Sequence, residues 1–342
     1  MKKRNVLAGI LAGSMIFSLA ACGGAAQSGS AGEPEKVVLK LSTVKSSDSY
    51  PVKFANELAE KVKSQTDGQI EIQVYADGQL GGQTELVTGL QAGTIDMSYF
   101  SVQGMESIFP EVCLLGTFFT LQSEDGAEKV WNSDFGQKII SEDLREQCGI
   151  RTFDCTFEGY REIFTKTPID SYDQLSGLKL RVPEVPMLTA SFSALGTNPT
   201  SMSTGDVYTS LQTGVIDGLD MDIDGFRSNK LYEQCKYIFM SNHALTMSTF
   251  MINENKFQSL SSEQQEILTN CINETCADMR EYYKNYKEET LKFFEDNGVT
   301  ITIPSDAEQQ KALELVRSVS VDYIKDFGDA STLEEIVKIQ NS

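Results

Sequence analysis

The sequence predicts an α/β protein of two domains with a cleft between them and one long helix spanning both. Three observations carry this reading. Strand-like and helical runs alternate, about 320 residues follow the N-terminal segment, and apolar residues keep a helical period for nearly 30 residues beyond position 261. Such alternation implies parallel strands with helices packed on both faces. A body of that length exceeds one ordinary hydrophobic core. The periodic stretch is long enough for a helix of roughly 40 Å at 1.5 Å per residue.

The elements follow in order. Val37–Ser42 reads as a strand, and residues 51–64 as an amphipathic helix with Phe54, Leu58 and Val62 on one side. The Asp67-Gly68 turn leads into Ile70–Tyr75, which alternates as a strand does. Residues 83–91 are helical and stop at Gly93, and 95–99 is a strand again. Ligands of open parallel sheets bind outside the carboxyl ends of the strands, which singles out the loops at 45–50, 80–83 and 100–103. A second unit follows the strand-like residues 150–157, with strands at 178–182 and 215–219 and helices at 186–195 and 206–212. Residues 237–240 and 246–252 read as strands able to carry the chain between domains.

Ser261 opens the long helix, with Ser262 as a candidate cap and acids nearby at the positive end of the dipole. Leu268, Cys271, Ile272, Thr275, Met279, Tyr282, Tyr283 and Tyr286 keep the three-four spacing. On this reading the first domain comprises residues 37–156 with 246–285, and the second 157–245 with 286–342.

The first residues have the pattern of an export signal. Lys2, Lys3 and Arg4 precede an apolar run at 6–20 that is short for a spanning helix and ends in small residues. Leu19-Ala20-Ala21-Cys22-Gly23 resembles a bacterial lipobox, in which the cysteine takes a diacylglycerol and begins the mature chain. That makes residues 1–21 a lipoprotein signal peptide and Cys22 the lipid-attachment residue, on the extracytoplasmic face of the membrane. The Gly/Ser-rich stretch within 22–36 reads as a flexible tether, reaching on the order of 20 Å.

Removing three basic residues of the chain's 29 with that signal leaves 26 against 49 acidic residues, a net charge of −23. An acidic surface of this kind disfavours nucleic acid and anionic lipid. An anionic ligand would have to be gripped by a few local cations. Six cysteines remain after Cys22, without a dense disulfide spacing and without CxxC; both disulfides and buried thiols are compatible with export. His243 is the only histidine, so neither a zinc site nor a metal cofactor of the usual kind is expected. Asp220, Asp222 and Asp224 lack the glycine and distal glutamate of a calcium loop.

Three stretches carry a family resemblance. They are Tyr75-Ala76-Asp77-Gly78-Gln79-Leu80-Gly81-Gly82 with Leu90-Gln91-Ala92-Gly93-Thr94-Ile95-Asp96-Met97, then Gly177-Leu178-Lys179-Leu180-Arg181-Val182-Pro183, then residues 206–218, Asp-Val-Tyr-Thr-Ser-Leu-Gln-Thr-Gly-Val-Ile-Asp-Gly. In this order and spacing the chain resembles the DctP-type extracytoplasmic solute receptors of tripartite ATP-independent periplasmic (TRAP) transporters. The resemblance implies a periplasmic-binding-protein-like fold of the class II type, with the ligand in the interdomain cleft. It also implies a monomer, no cofactor, and membrane-embedded TRAP permease subunits as partner.

The resemblance further implies site residues. Arg181 stands where the family places an arginine that grips a substrate carboxylate in a two-pronged bridge, a geometry lysine does not match. Arg161 matches the family's second arginine, with pairing to Glu158 or Glu162 as the alternative. Tyr50, in the loop after the first strand, would stack on or hydrogen-bond the ligand, with core packing as its alternative. Ser101 would face the ligand. Thr204 stands where many relatives carry an aromatic. Glu184 falls at a ligand-proximal position. Asp220 keeps an acid of the family's pattern, whereas Met221 replaces an asparagine amide with a thioether. The expected function is capture of a small organic acid, a sugar acid or dicarboxylate, for a permease. A ligand-sensing subunit of a signalling receptor is the alternative. An exported enzyme has less support, since no GxSxG elbow or nucleotide-binding motif occurs.

Overall fold

A computed structural model describes residues Lys36–Ser342. The expected signal peptide, Cys22 and the tether through residue 35 lie outside the described residues.

Two long strands organise the chain. β4 (Ile150–Thr165) and β8 (Tyr237–Asn253) pair antiparallel and run through the whole body. On one side of β8 lies a parallel group, β1 (Val37–Ser42) between β2 (Ile70–Tyr75) and β3 (Met97–Ser101). On the far side of β4 lies a second, β5 (Lys179–Val182) between β6 (Asn198–Ser201) and β7 (Gly218–Asp222). The order is β2-β1-β3-β8-β4-β7-β5-β6, and β9 (Thr300–Thr302) adds to β8. The expected parallel units are thus present, but the two long strands join them antiparallel into one mixed sheet of nine strands.

The runs at 237–240 and 246–252 are one continuous strand, and 150–157 is the first half of another. The strands predicted at 95–99 and 215–219 shift toward the carboxyl side, so Ser101, Asp220 and Met221 all lie in strands. β4 breaks register with β8 between Phe157 and Tyr160. Gly159 sits in that break at φ 76°, where an added Cβ would clash with Tyr283 Oη, so glycine is required there twice over.

The helix Ser262–Asp296 has 35 residues, about 52 Å at 1.5 Å per residue. Its cap is Ser261 and not Ser262: Ser261 Oγ accepts from Gln264 N, while Gln264 Oε1 accepts from Ser261 N. Leu268, Ile272 and Tyr283 pack in a core with Leu39, Leu58 and Ile72 of the first lobe. Further along, Phe294 enters a core of the second lobe with Phe164, Leu211 and Phe226. A third, larger core runs across the molecule from Leu86 and Trp131 to Phe192 and Val316. The last helix, Ala330–Gln340, lies against Glu124–Asn132, and Gln340 Nε2 donates to Thr120 O at 2.7 Å. Cys113, Cys148, Cys155, Cys235, Cys271 and Cys276 are buried free thiols.

Candidate ligand-binding site

The loop after β1 and the strands β4, β5 and β7 bring their polar side chains to one place. Arg181, on β5, is 2% exposed. Its Nε and Nη2 donate to Met202 O at 3.0 and 2.8 Å, Nη2 reaches Thr204 Oγ1 at 3.4 Å, and Nη1 reaches Asp220 O at 3.4 Å. Carbonyls and a hydroxyl hold the guanidinium, and no described carboxylate pairs with it. Burial, and next the neighbouring Arg161, push its pKa down to about 10.

Arg161, on β4, stands opposite Asp222 in the antiparallel register with β7. Its Nε and Nη2 donate to the two oxygens of Asp220 at 2.8 and 2.9 Å. Asp220 Oδ1 also lies 2.9 Å from His243 Nε2, and His243 Nδ1 lies 2.8 Å from Ser241 Oγ. Burial alone would raise the Asp220 carboxyl, yet Arg161 and His243 hold it at about 2. Burial depresses the imidazole pKa against the pull of Asp220, and a proton on Nε2 suits the acceptor-only carboxylate it faces.

A second charged group crosses between the lobes. Lys45 Nζ, from the loop after β1, forms an ion pair with Glu158 on β4 and reaches Asp222 Oδ2 on β7 at 3.2 Å. Burial opposes the ammonium, but Asp222 and Glu158 outweigh it and raise its pKa. Asp222 Oδ1 accepts from Gly225 N at 2.7 Å, and Asp224 Oδ1 accepts from Tyr286 Oη at 2.6 Å. The three aspartates of the 220–224 run therefore go to three different sets of partners.

Between these groups is a cavity of about 50 Å³, walled by Lys45 and Ser101 from one lobe and by Arg181, Thr204 and Met221 from the other. A pocket of about 40 Å³ adjoins it through Gln83, Ser101, Arg161, Pro183 and Thr246. Gln83 Nε2, Glu158 Oε1 and Thr246 Oγ1 are buried there without a protein partner. Such groups are costly unless something bonds them.

Of the expected site residues, Arg181, Arg161, Ser101, Thr204 and Met221 meet at this cavity. Asp220 is behind the wall, fully buried beneath Arg161. The Glu184 carboxylate lies beside Gly82, next to wall residue Pro183 and off the wall itself. Tyr50 is elsewhere: its hydroxyl donates to Phe157 O at 3.1 Å and its ring packs on Tyr282, Tyr283 and Tyr286. Core packing, the alternative for Tyr50, describes its place. Sequence reasoning did not assign Lys45, Gln83, Glu158, Asp222 or Thr246 to the ligand site. The first two lie in loops it had marked, and an acid within an apolar strand was the available signal for Glu158.

A two-lobed α/β frame that walls a small polar cavity, with an unpaired guanidinium at the ends of its strands, defines a solute-binding protein. The chain belongs to the DctP family, the bacterial extracellular solute-binding proteins of family 7, whose profile matches residues 41–326. It is a TRAP-type solute receptor, and the family comprises receptors, not enzymes. A solute-binding protein of Roseobacter denitrificans is 29% identical over 280 residues, 81% of this chain and 84% of that one. A TRAP solute-binding protein structure from Roseobacter denitrificans, with bound L-galactonate, matches at a TM-score of 0.81 and 26% identity, over 91% of this chain and 100% of that one. The sialic acid-binding periplasmic protein SiaP of Vibrio cholerae is 27% identical over 266 residues, 78% of this chain and 83% of that one.

Proposed function

We propose that this chain is a lipid-anchored receptor that captures a small organic acid in its interlobe cavity and delivers it to membrane-embedded TRAP permease subunits. The observation that carries the reading is Arg181, a buried guanidinium held by carbonyls and without a carboxylate of its own. A ligand carboxylate supplies the missing charge and accepts from the Nη1–H that the bonds to Met202, Thr204 and Asp220 leave over. Arg161, Ser101, Thr204 and Met221 shape the rest of the cavity. A sugar acid is favoured by the L-galactonate bound to the Roseobacter relative and by the sialic acid of SiaP's name.

In this reading, lobes of residues 37–156 with 246–285 and 157–245 with 286–342 close on the ligand. Two contacts support closure: Lys45 to Asp222, and Ser46 Oγ donating to Ser228 O at 3.3 Å. A ligand that touches both lobes favours the closed state by its differential affinity for it. Cys22 anchors the receptor, which works as a monomer on the outer face of the membrane. Titration calorimetry with galactonate, sialic acid and C4-dicarboxylates tests the binding. Absence of binding by every acid, or turnover of one, would overturn the reading.

A further inference from the structure

We propose that Glu158, held by Lys45, makes the cavity selective for a monocarboxylate polyol (an aldonate or uronate) and excludes the corresponding dicarboxylate. The inference rests on the receptor reading above and specifies its ligand class.

The charges around the cavity set a limit of one ligand carboxylate. Three cations stand there, Lys45, Arg161 and Arg181. Asp220 takes both prongs of Arg161. Glu158 and Asp222 together take Lys45. Arg181 alone is left to meet an anion. A second carboxylate would meet two buried acids whose single cation is already shared.

The placement agrees. Glu158 is on β4 and Arg181 on β5, with β7 between them. Both side chains nevertheless line the same cavity. An acid bound through its carboxylate at Arg181 therefore shares that cavity with Glu158.

What waits there suits hydroxyls. Glu158 Oε1 is buried and accepts from no protein donor, while Gln83 Nε2 donates to no protein acceptor. A hydroxyl both donates and accepts, so a polyol satisfies both atoms, and Thr246 Oγ1 offers a third partner. A carboxylate accepts only and leaves Glu158 Oε1 facing a like charge. Like-charge juxtaposition of this sort lowers affinity by about a hundredfold or more.

The test uses pairs of equal carbon number that differ only in the terminal group, threonate against tartrate and galactonate against galactarate. Calorimetry on the full mature chain at fixed ionic strength is expected to show at least one monocarboxylate bound about a hundredfold more tightly than its partner. Glu158→Gln keeps size and hydrogen bonding, and is expected to narrow the ratio by admitting the dicarboxylate. A dicarboxylate bound as tightly as its partner by the wild-type protein overturns the inference, whatever the variant does. So does an unchanged ratio in Glu158→Gln. If the dicarboxylate binds and Arg181→Ala abolishes that binding, the inference fails while the receptor reading stands. If no acid binds, both fail.

Discussion

Arg161 and Asp220 face each other as a two-pronged ion pair, Nε to Oδ1 at 2.8 Å and Nη2 to Oδ2 at 2.9 Å. Asp220 is fully buried and is shared with His243, so the charge of Arg161 is neutralised inside the protein. Its neighbour Arg181 has no such partner. Two arginines converge on one cavity, but only one is free to pair with a ligand.

Arg181→Met is therefore expected to divide stability from function. Affinity for an acid ligand falls by roughly 30-fold or more, since one side of a buried charge-assisted pair is lost. The ligand-free protein gains thermal stability, because an unpaired buried charge is replaced by an apolar chain. Thermal melts with and without ligand read both effects. A variant destabilised in the absence of ligand would contradict this account.

Asp220→Asn is expected to act in the opposite way. It takes from the Arg161 guanidinium the one carboxylate it is hydrogen-bonded to, and removal of one partner of a buried pair typically destabilises by about 3–5 kcal/mol. Denaturant unfolding without ligand measures it, and a change below about 1 kcal/mol would show that Arg161 finds another partner.

Gly159→Ala combines two penalties, a left-handed φ of 76° and overlap with Tyr283 Oη. Destabilisation of more than about 1 kcal/mol is expected. Pairing it with Tyr283→Ala, which clears the space, is expected to recover only part, since the backbone strain persists.

The Glu162 side chain is buried and accepts from Asn242 N at 2.9 Å. Burial raises its pKa from the usual 4.5 to about 8. A carboxyl raised on folding contributes stability fully below about 4.5, and that contribution is lost as the pH climbs to about 8. Glu162→Gln, which does not ionise, is expected to be less pH-sensitive, so its advantage over wild type grows between those values. Melting temperatures across the range check the sign.

Cys22→Ala is expected to move the receptor from the membrane to the soluble fraction, since the proposed anchor is the diacylglycerol on that residue. Retention in the membrane fraction would reject anchoring there.

Local pattern made a good part of the frame legible. Val37–Ser42 and Ile70–Tyr75 stand where their alternation puts them, and the helix from Ser262 follows its apolar spacing. These features depend on neighbours a few residues apart, which a linear reading contains. The strand β8 was not legible as one element. Its middle, Ser241-Asn242-His243, looks like a polar loop, and Asn242 has a positive φ of 43°. Glu162 accepting from Asn242 N, and Asp220 against His243, hold it in the strand.

The site divides in the same way. Sequence by itself determined which loops and which arginine lie at the strand ends, because strand direction and turn chemistry are local. Only the tertiary structure decided the pairings. Arg161 takes Asp220 over the nearer Glu158 and Glu162 because the β4–β7 register sets Arg161 opposite Asp222, which puts Asp220, two residues along β7, on the same face within reach. Lys45 and Glu158 meet from positions 113 residues apart. Burial then gives these contacts their weight: the same charges on an exposed surface would be screened, whereas in a closed cavity their pairing leaves Arg181 as the free cation among the three.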